Sequence, residues 1–343
     1  MSDSPIFLFL EKVHPSIEAT VDRILRGENR CPKAIVRDFD GSQYHILVDL
    51  GVRKDCNERR CEDTIAGSES NGDGAVSAES LACKAAITVA VRHFTPLEEL
   101  NAHGNFYDVL PTLFPPTVRG FIQTSVSSDD AGAPVVFHIP AGVADATLRE
   151  ALQVVGSVRV WSFAPVFLKQ CELFLSDPAS VRPLVLHYHP GEEMVLFSYS
   201  DNFTISVSMR ASSKDEALLM RHFLQSMADA RRISKELAGT PTFAFEQGTV
   251  PDELRAVGAP VSNVANEDHF WCSFQLFRQQ MEAPSNLIDT VTRLVNFRNF
   301  VSYHISAGRT FMHGMMRKRV EASLQVLNKA KTHITGKPKI TLD

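Results

Sequence analysis

Residues 183–209 read PLVLHYHPGEEMVLFSYSDNFTISVSM, and their reading decides the fold. Three β-type runs, Pro183 to His189, Glu193 to Tyr199 and Phe203 to Met209, are separated by breaks short enough for hairpins. Downstream, a helix is predicted from Ser213 to about Leu237, opened by a Ser-x-x-Glu capping pattern (Ser213, Glu216). Strands at Thr240 to Glu246 and His269 to Phe277 follow, and the pattern is helical from Ser285 onward with no proline until Pro338.

Upstream, the same order occurs once before. An amphipathic segment opens at Pro15-Ser16-Ile17-Glu18, carries Ile17, Val21, Ile24 and Leu25 at helical spacing, and ends at Gly27. Strands fit Ala34 to Phe39, Tyr44 to Leu50 and Ala85 to Phe94, then a short helix Pro96 to His103, then strands Phe121 to Val126 and Val135 to Ile139 around a turn-rich Ser127 to Pro134. One helical stretch, Ala144 to Leu175, closes the first half and opens the second, with Leu148, Leu152, Val155, Phe163, Val166, Phe167 and Leu175 on its apolar side. Each half therefore reads α-β-β-β-α-β-β-α. Hairpin-linked strands with helices on one side predict an α+β fold of two related domains with antiparallel sheets. The expected division is 1–156, 157–306 and a C-terminal helix and basic tail over 307–343. Gly51 to Ser80 has almost no large apolar residue, so a disordered insertion is expected over 52–80.

Composition narrows the function. The 343 residues are 44% hydrophobic and 22% charged, with a formal net charge of -5, which gives no reason to expect nucleic-acid binding across the chain. No apolar run is long enough to cross a bilayer, so no membrane insertion is expected. Ile6 to Leu10 is apolar but lacks a basic flank, which argues against a signal peptide. The six cysteines (Cys31, Cys56, Cys61, Cys83, Cys171, Cys272) form no paired framework and are read as reduced thiols.

Two patterns bear on chemistry. Asp38-Phe39-Asp40-Gly41 follows an apolar run, as in phosphatases whose first aspartate attacks phosphorus while the second acts as acid/base beside magnesium. Arg37 interrupts that run, Ser42 replaces the usual threonine, and an Asp-Gly turn between strands explains the same residues. His187-Tyr188-His189 with Glu193 has the spacing of a cupin metal strand, but a third histidine and flanking glycines are missing, and a solvent-side pair on a hairpin fits better. There is no phosphate-cradling loop, nucleophile elbow or His-Glu-x-x-His helix, so no catalytic residue, metal or cofactor is expected.

The C-terminal helix is more informative. Met312, Met316, Val320, Leu324 and Leu327 step by three and four, while Arg317, Lys318, Glu321, Gln325, Asn328 and Lys329 are read onto the opposite face. Such a helix invites a partner helix; the alternative is a helix folded back on its own core, as in a stand-alone chaperone-like domain pair. Arg309, Arg317, Lys318, Arg319, Lys329, Lys331, Lys337 and Lys339 make this end basic on an acidic chain.

Tyr303-His304-Ile305, Phe311-Met312-His313, Met316-Arg317 and Leu324-Gln325-Val326-Leu327-Asn328-Lys329-Ala330-Lys331 resemble the C-terminal helix of the actin-related protein 2/3 complex subunit 2 family, the 34 kDa subunit. Asp38 to Gly41 with Tyr44-His45-Ile46, Leu100 to Gly104, Phe163-Ala164, Val166-Phe167, His187-Tyr188 and Arg231-Arg232 fit in order. The resemblance implies a non-enzymatic scaffold of the cytoplasm and cytoskeleton, in a heterodimer with the fourth, small subunit, alongside the other complex subunits and an actin filament. It implies Met312, Met316, Val320, Leu324 and Leu327 as the partner-subunit interface. Arg309, Arg317, Arg319, Lys329 and Lys331 are then the filament-facing set. The Gly51 to Ser80 segment, Gly308, Gly314 and Met315 depart from the family pattern.

Overall fold

The computed structural model describes residues 15–26, 33–37, 42–49, 85–123, 135–237, 239–262, 266–282 and 284–334, with the side chains of Pro15, Glu236, Pro284, Ser285 and 328–334 set aside. The first half runs α1 (Pro15–Leu25), β1 (Lys33–Arg37), β2 (Gln43–Asp49), β3 (Ala86–Arg92), α2 (Leu97–Leu100), α3 (Phe106–Val109), β4 (Ile122–Gln123), β5 (Val135–Ile139) and α4 (Asp145–Gly156). Next come α5 (Val158–Ser176), β6 (Leu184–His189), β7 (Glu192–Tyr199), β8 (Asn202–Arg210), α6 (Lys214–Ile233), β9 (Thr242–Gln247), α7 (Asp252–Ala256), β10 (His269–Leu276), α8 (Arg278–Met281), α9 (Pro284–Val295) and α10 (Phe297–Ile334).

The two sheets have matching order, β1-β2-β3-β5-β4 and β6-β7-β8-β10-β9, and every pairing is antiparallel. The α+β class and the repeated hairpin pattern thus hold. The β7–β8 turn places Ser200 and Asp201 at φ 47° and 61°, the left-handed pair that a two-residue hairpin needs to match strand twist.

The single helix expected over Ala144 to Leu175 is instead two, α4 and α5, bent by 65° at Ser157. Ser157 leaves helical geometry at φ -107°, ψ 10°, and its hydroxyl donates back to the carbonyls of Gln153 and Val154 while accepting the Trp161 indole N–H. Periodicity alone does not reveal such a break, because the apolar side continues through it. Among the described residues no single helix is long and apolar enough to cross a membrane.

The bend lets α5 serve both sheets. Trp161 packs edge-on against Phe114 at 5.6 Å on the first-half side, and Phe174 lies 5.5 Å from Phe203 of β8 on the second. Burial of Cys171 on this helix pushes its thiol up to about 12, so it stays protonated at neutral pH.

The outer face of the second sheet carries Val195, Phe197 and Trp271, which the segment around α7 covers with Val250 and Leu254. Buried Glu193 fastens that cover, accepting from the Ser262 backbone N–H at 3.1 and 3.2 Å and from its hydroxyl.

Candidate interaction surface

Helix α10 has two parts. In its root, Phe297, Val301 and Ile305 are buried. Phe297 meets Phe274 of β10 edge-on at 4.9 Å and Phe243 of β9 at 6.1 Å. Phe300 and His304 pack on Phe223 of α6 at 5.9 and 5.4 Å. Polar anchors add direction. Arg298 pairs with Glu192, which is 2% exposed and also accepts the Arg210 N–H at 3.0 Å. Asn296, just before the root, accepts from buried Arg159 of α5. Burying an ion pair costs desolvation, so these contacts fix the helix exit direction more than they add stability.

From Ser306 to Leu327 every residue is exposed. Met312, Met316, Val320, Leu324 and Leu327 form an uncovered apolar stripe, with Met316 62%, Leu324 54% and Leu327 61% exposed. Phe311, Met315 and Val326 are exposed beside it. Between 306 and 327 the helix does not fold back on its own core, against that alternative. Large apolar stripes of this kind are rare on stand-alone chains and mark association surfaces.

The cations are less segregated than expected. Arg319 stands three and four residues after Met316 and Met315, and Arg309 three residues before Met312, so both share the methionine side of a continuous helix. Arg317 begins the other side. Arg309 is also engaged internally: its Nη2 donates to the Ser213 hydroxyl at 3.3 Å, at the N-cap of α6. Helix α10 runs through Lys329 and Lys331, whose side chains lie outside the described residues.

Beside the root, a groove of about 690 Å³ opens between α6, the edge strand β9 and α9, floored by Phe243, Phe274, Leu294, Phe297 and Phe300 with Arg231 on its wall. Sequence reading did not signal it, because its walls come from segments far apart in the chain.

The other expected sites resolve simply or fall outside. Asp38 to Gly41 and residues 52–80 lie outside the described residues. His187 Nδ1 sits 2.6 Å from Glu99 Oε1, and the same carboxylate accepts the His187 N–H at 2.6 Å, tying α2 to β6. A register shift separates His187 from His189. No cluster of three metal-ligating side chains occurs among the described residues.

Residues 135–334 match the family model described as "Arp2/3 complex, 34 kD subunit p34-Arc". The chain is 31% identical over 159 residues to "Actin-related protein 2/3 complex subunit 2" of Dictyostelium discoideum, covering 46% of this chain and 52% of the relative. It is 30% identical over 186 residues to the Schizosaccharomyces pombe protein of that name, covering 50% and 57%. It is 32% identical over 154 residues to "Actin-related protein 2/3 complex subunit 2A" of Arabidopsis thaliana, covering 45% and 46%. The chain thus spans about half the length of the curated relatives it matches.

Proposed function

The chain belongs to the 34 kD subunit, p34-Arc, family of the Arp2/3 complex, and from that premise we propose that it is a scaffold subunit of the actin-nucleating assembly. In this reading it is no enzyme, works in the cytoplasm and cytoskeleton, and pairs with the fourth, small subunit through Met312, Met316, Val320, Leu324 and Leu327. Arg309, Arg317, Arg319, Lys329 and Lys331 then face the mother filament, with Arg309 and Arg319 rimming the subunit contact. Residues 1–156 and 157–306 act as two related platforms and 307–343 as the contact arm.

One observation carries the proposal: the apolar stripe of α10 is uncovered while the root of the same helix is locked into the core. Leaving five large apolar side chains in water forfeits burial of about 1.5–3 kcal/mol each, so a covering chain is strongly favoured. The filament assignment rests on charge, since actin is acidic and opposite potentials raise encounter rates more than final affinity.

Two experiments test it. The chain expressed alone should be poorly soluble, and co-expression with the small subunit should rescue it. A well-behaved monomer would end the pairing half. Charge reversal at Arg317, Arg319, Lys329 and Lys331 should weaken co-sedimentation of the assembled complex with filaments, most at low salt. Unchanged co-sedimentation would end the filament half.

A further inference from the structure

We propose that Ser234 is a phosphorylation site for an arginine-directed protein kinase, and that its phosphate takes Arg231 away from strand β9. Arg231-Arg232-Ile233-Ser234 is the one place in the sequence where two adjacent arginines are followed, after one residue, by a serine or threonine. Kinases that select by charge read such arginines with carboxylates of their own.

The surroundings meet what a kinase cleft requires. Ser234 is the C-cap of α6 and already extended, at φ -93°, ψ 117°. Ile233 beside it is 83% exposed. Arg232 projects into solvent, with a 3.8 Å contact to Asp229. A short turn, Lys235–Leu237, follows. In the transfer, Ser234 Oγ attacks the γ-phosphorus of ATP and the bond to the bridging oxygen breaks. ADP leaves, and the hydroxyl proton passes to the kinase's carboxylate base.

The new dianion meets two opposing neighbours. The C-terminal carbonyls of α6 repel it, while Arg231, one helical turn back, attracts it. Attraction wins because Arg231 is poorly satisfied. Its Nε is buried without a hydrogen-bond partner among the described residues. Its Nη2 makes long contacts to the Thr240 carbonyl at 3.3 Å and the Thr242 hydroxyl at 3.2 Å. Those contacts fasten the end of α6 to the start of β9, so moving Arg231 to the phosphate loosens residues 239–242 and changes the wall of the groove beside the α10 root.

The test uses the full chain in its assembled complex, the catalytic subunit of a cyclic-AMP-dependent kinase and γ-labelled MgATP. About one phosphate per chain should appear at Ser234 by peptide mass spectrometry, and Ser234→Ala should remove it. Arg232→Gln, which gives up the exposed 3.8 Å contact to Asp229, should slow labelling by about tenfold or more. Equal labelling of Ser234→Ala, no slowing in Arg232→Gln, or labelling of unfolded chain alone would overturn the assignment. Amide hydrogen exchange over 239–242 should quicken after phosphorylation, and an unchanged rate would overturn the transfer of Arg231.

Discussion

The two parts of α10 differ little in apolar spacing and wholly in environment. Phe297, Val301 and Ile305 step by four, as Met312, Met316, Val320 and Leu324 do, yet the first set is buried and the second stands in water. What differs is the facing surface. The root lies over Phe243, Phe274 and Phe223, whereas from Ser306 to Leu327 every residue is exposed. An apolar stripe is therefore a demand for cover, and the rest of the fold decides whether this chain meets it or another must.

The sharpest way to break this comparison is to cut one residue from each part. Phe297→Ala should destabilise the chain by about 3–5 kcal/mol in denaturant unfolding, since it removes an aromatic packed on two others. A cost near zero would mean that the root is not anchored as described. Met316→Ala with Leu324→Ala should leave unfolding of the chain within about 0.5 kcal/mol. The same pair should weaken small-subunit binding by about 2 kcal/mol or more, roughly thirtyfold, measured by calorimetry or competition pull-down. If binding is unaffected, the stripe is not the contact.

Ser213, where Arg309 touches back, marks the boundary between the parts. Its hydroxyl accepts the Glu216 N–H at 3.2 Å as the cap of α6. Ser213→Ala should cost about 1 kcal/mol, read as a lower melting temperature. The smallest effect belongs to Gly314 in the projecting part, where a Cβ would meet nothing within 4 Å. Gly314→Ala should favour the helix by up to about 1 kcal/mol, seen as higher helicity by circular dichroism. A loss of helicity would show that this turn needs glycine.

Much of the fold was legible in the sequence because its signals are local. Val135 to Ile139 is a short β-type run preceded by a turn-rich loop, and the strand has those bounds. Ser213 and Glu216 announced a helix start that exists, although the Glu216 carboxylate accepts from the Ser212 N–H and hydroxyl instead of closing on Ser213. Helix α3 and helix α7 were missed, being four and five residues long, too short for a period to register. The bend at Ser157 was missed because nothing in helix propensity forbids a serine there. The candidate surface was half legible. Spacing gave the stripe, but not the engagement of Arg309 by Ser213, ninety-six positions away.

The sequence by itself determined the order of β-type runs and turns that makes two similar antiparallel sheets and the three-four spacing that gives α10 an apolar side. Both are properties of neighbouring residues on a regular backbone. Tertiary structure alone decided that α5 bends to serve both sheets, that Glu192 meets Arg298 across 106 positions, and that the stripe is covered only as far as Ile305. Burial depends on what stands opposite a side chain, and the chain supplies that from distant segments.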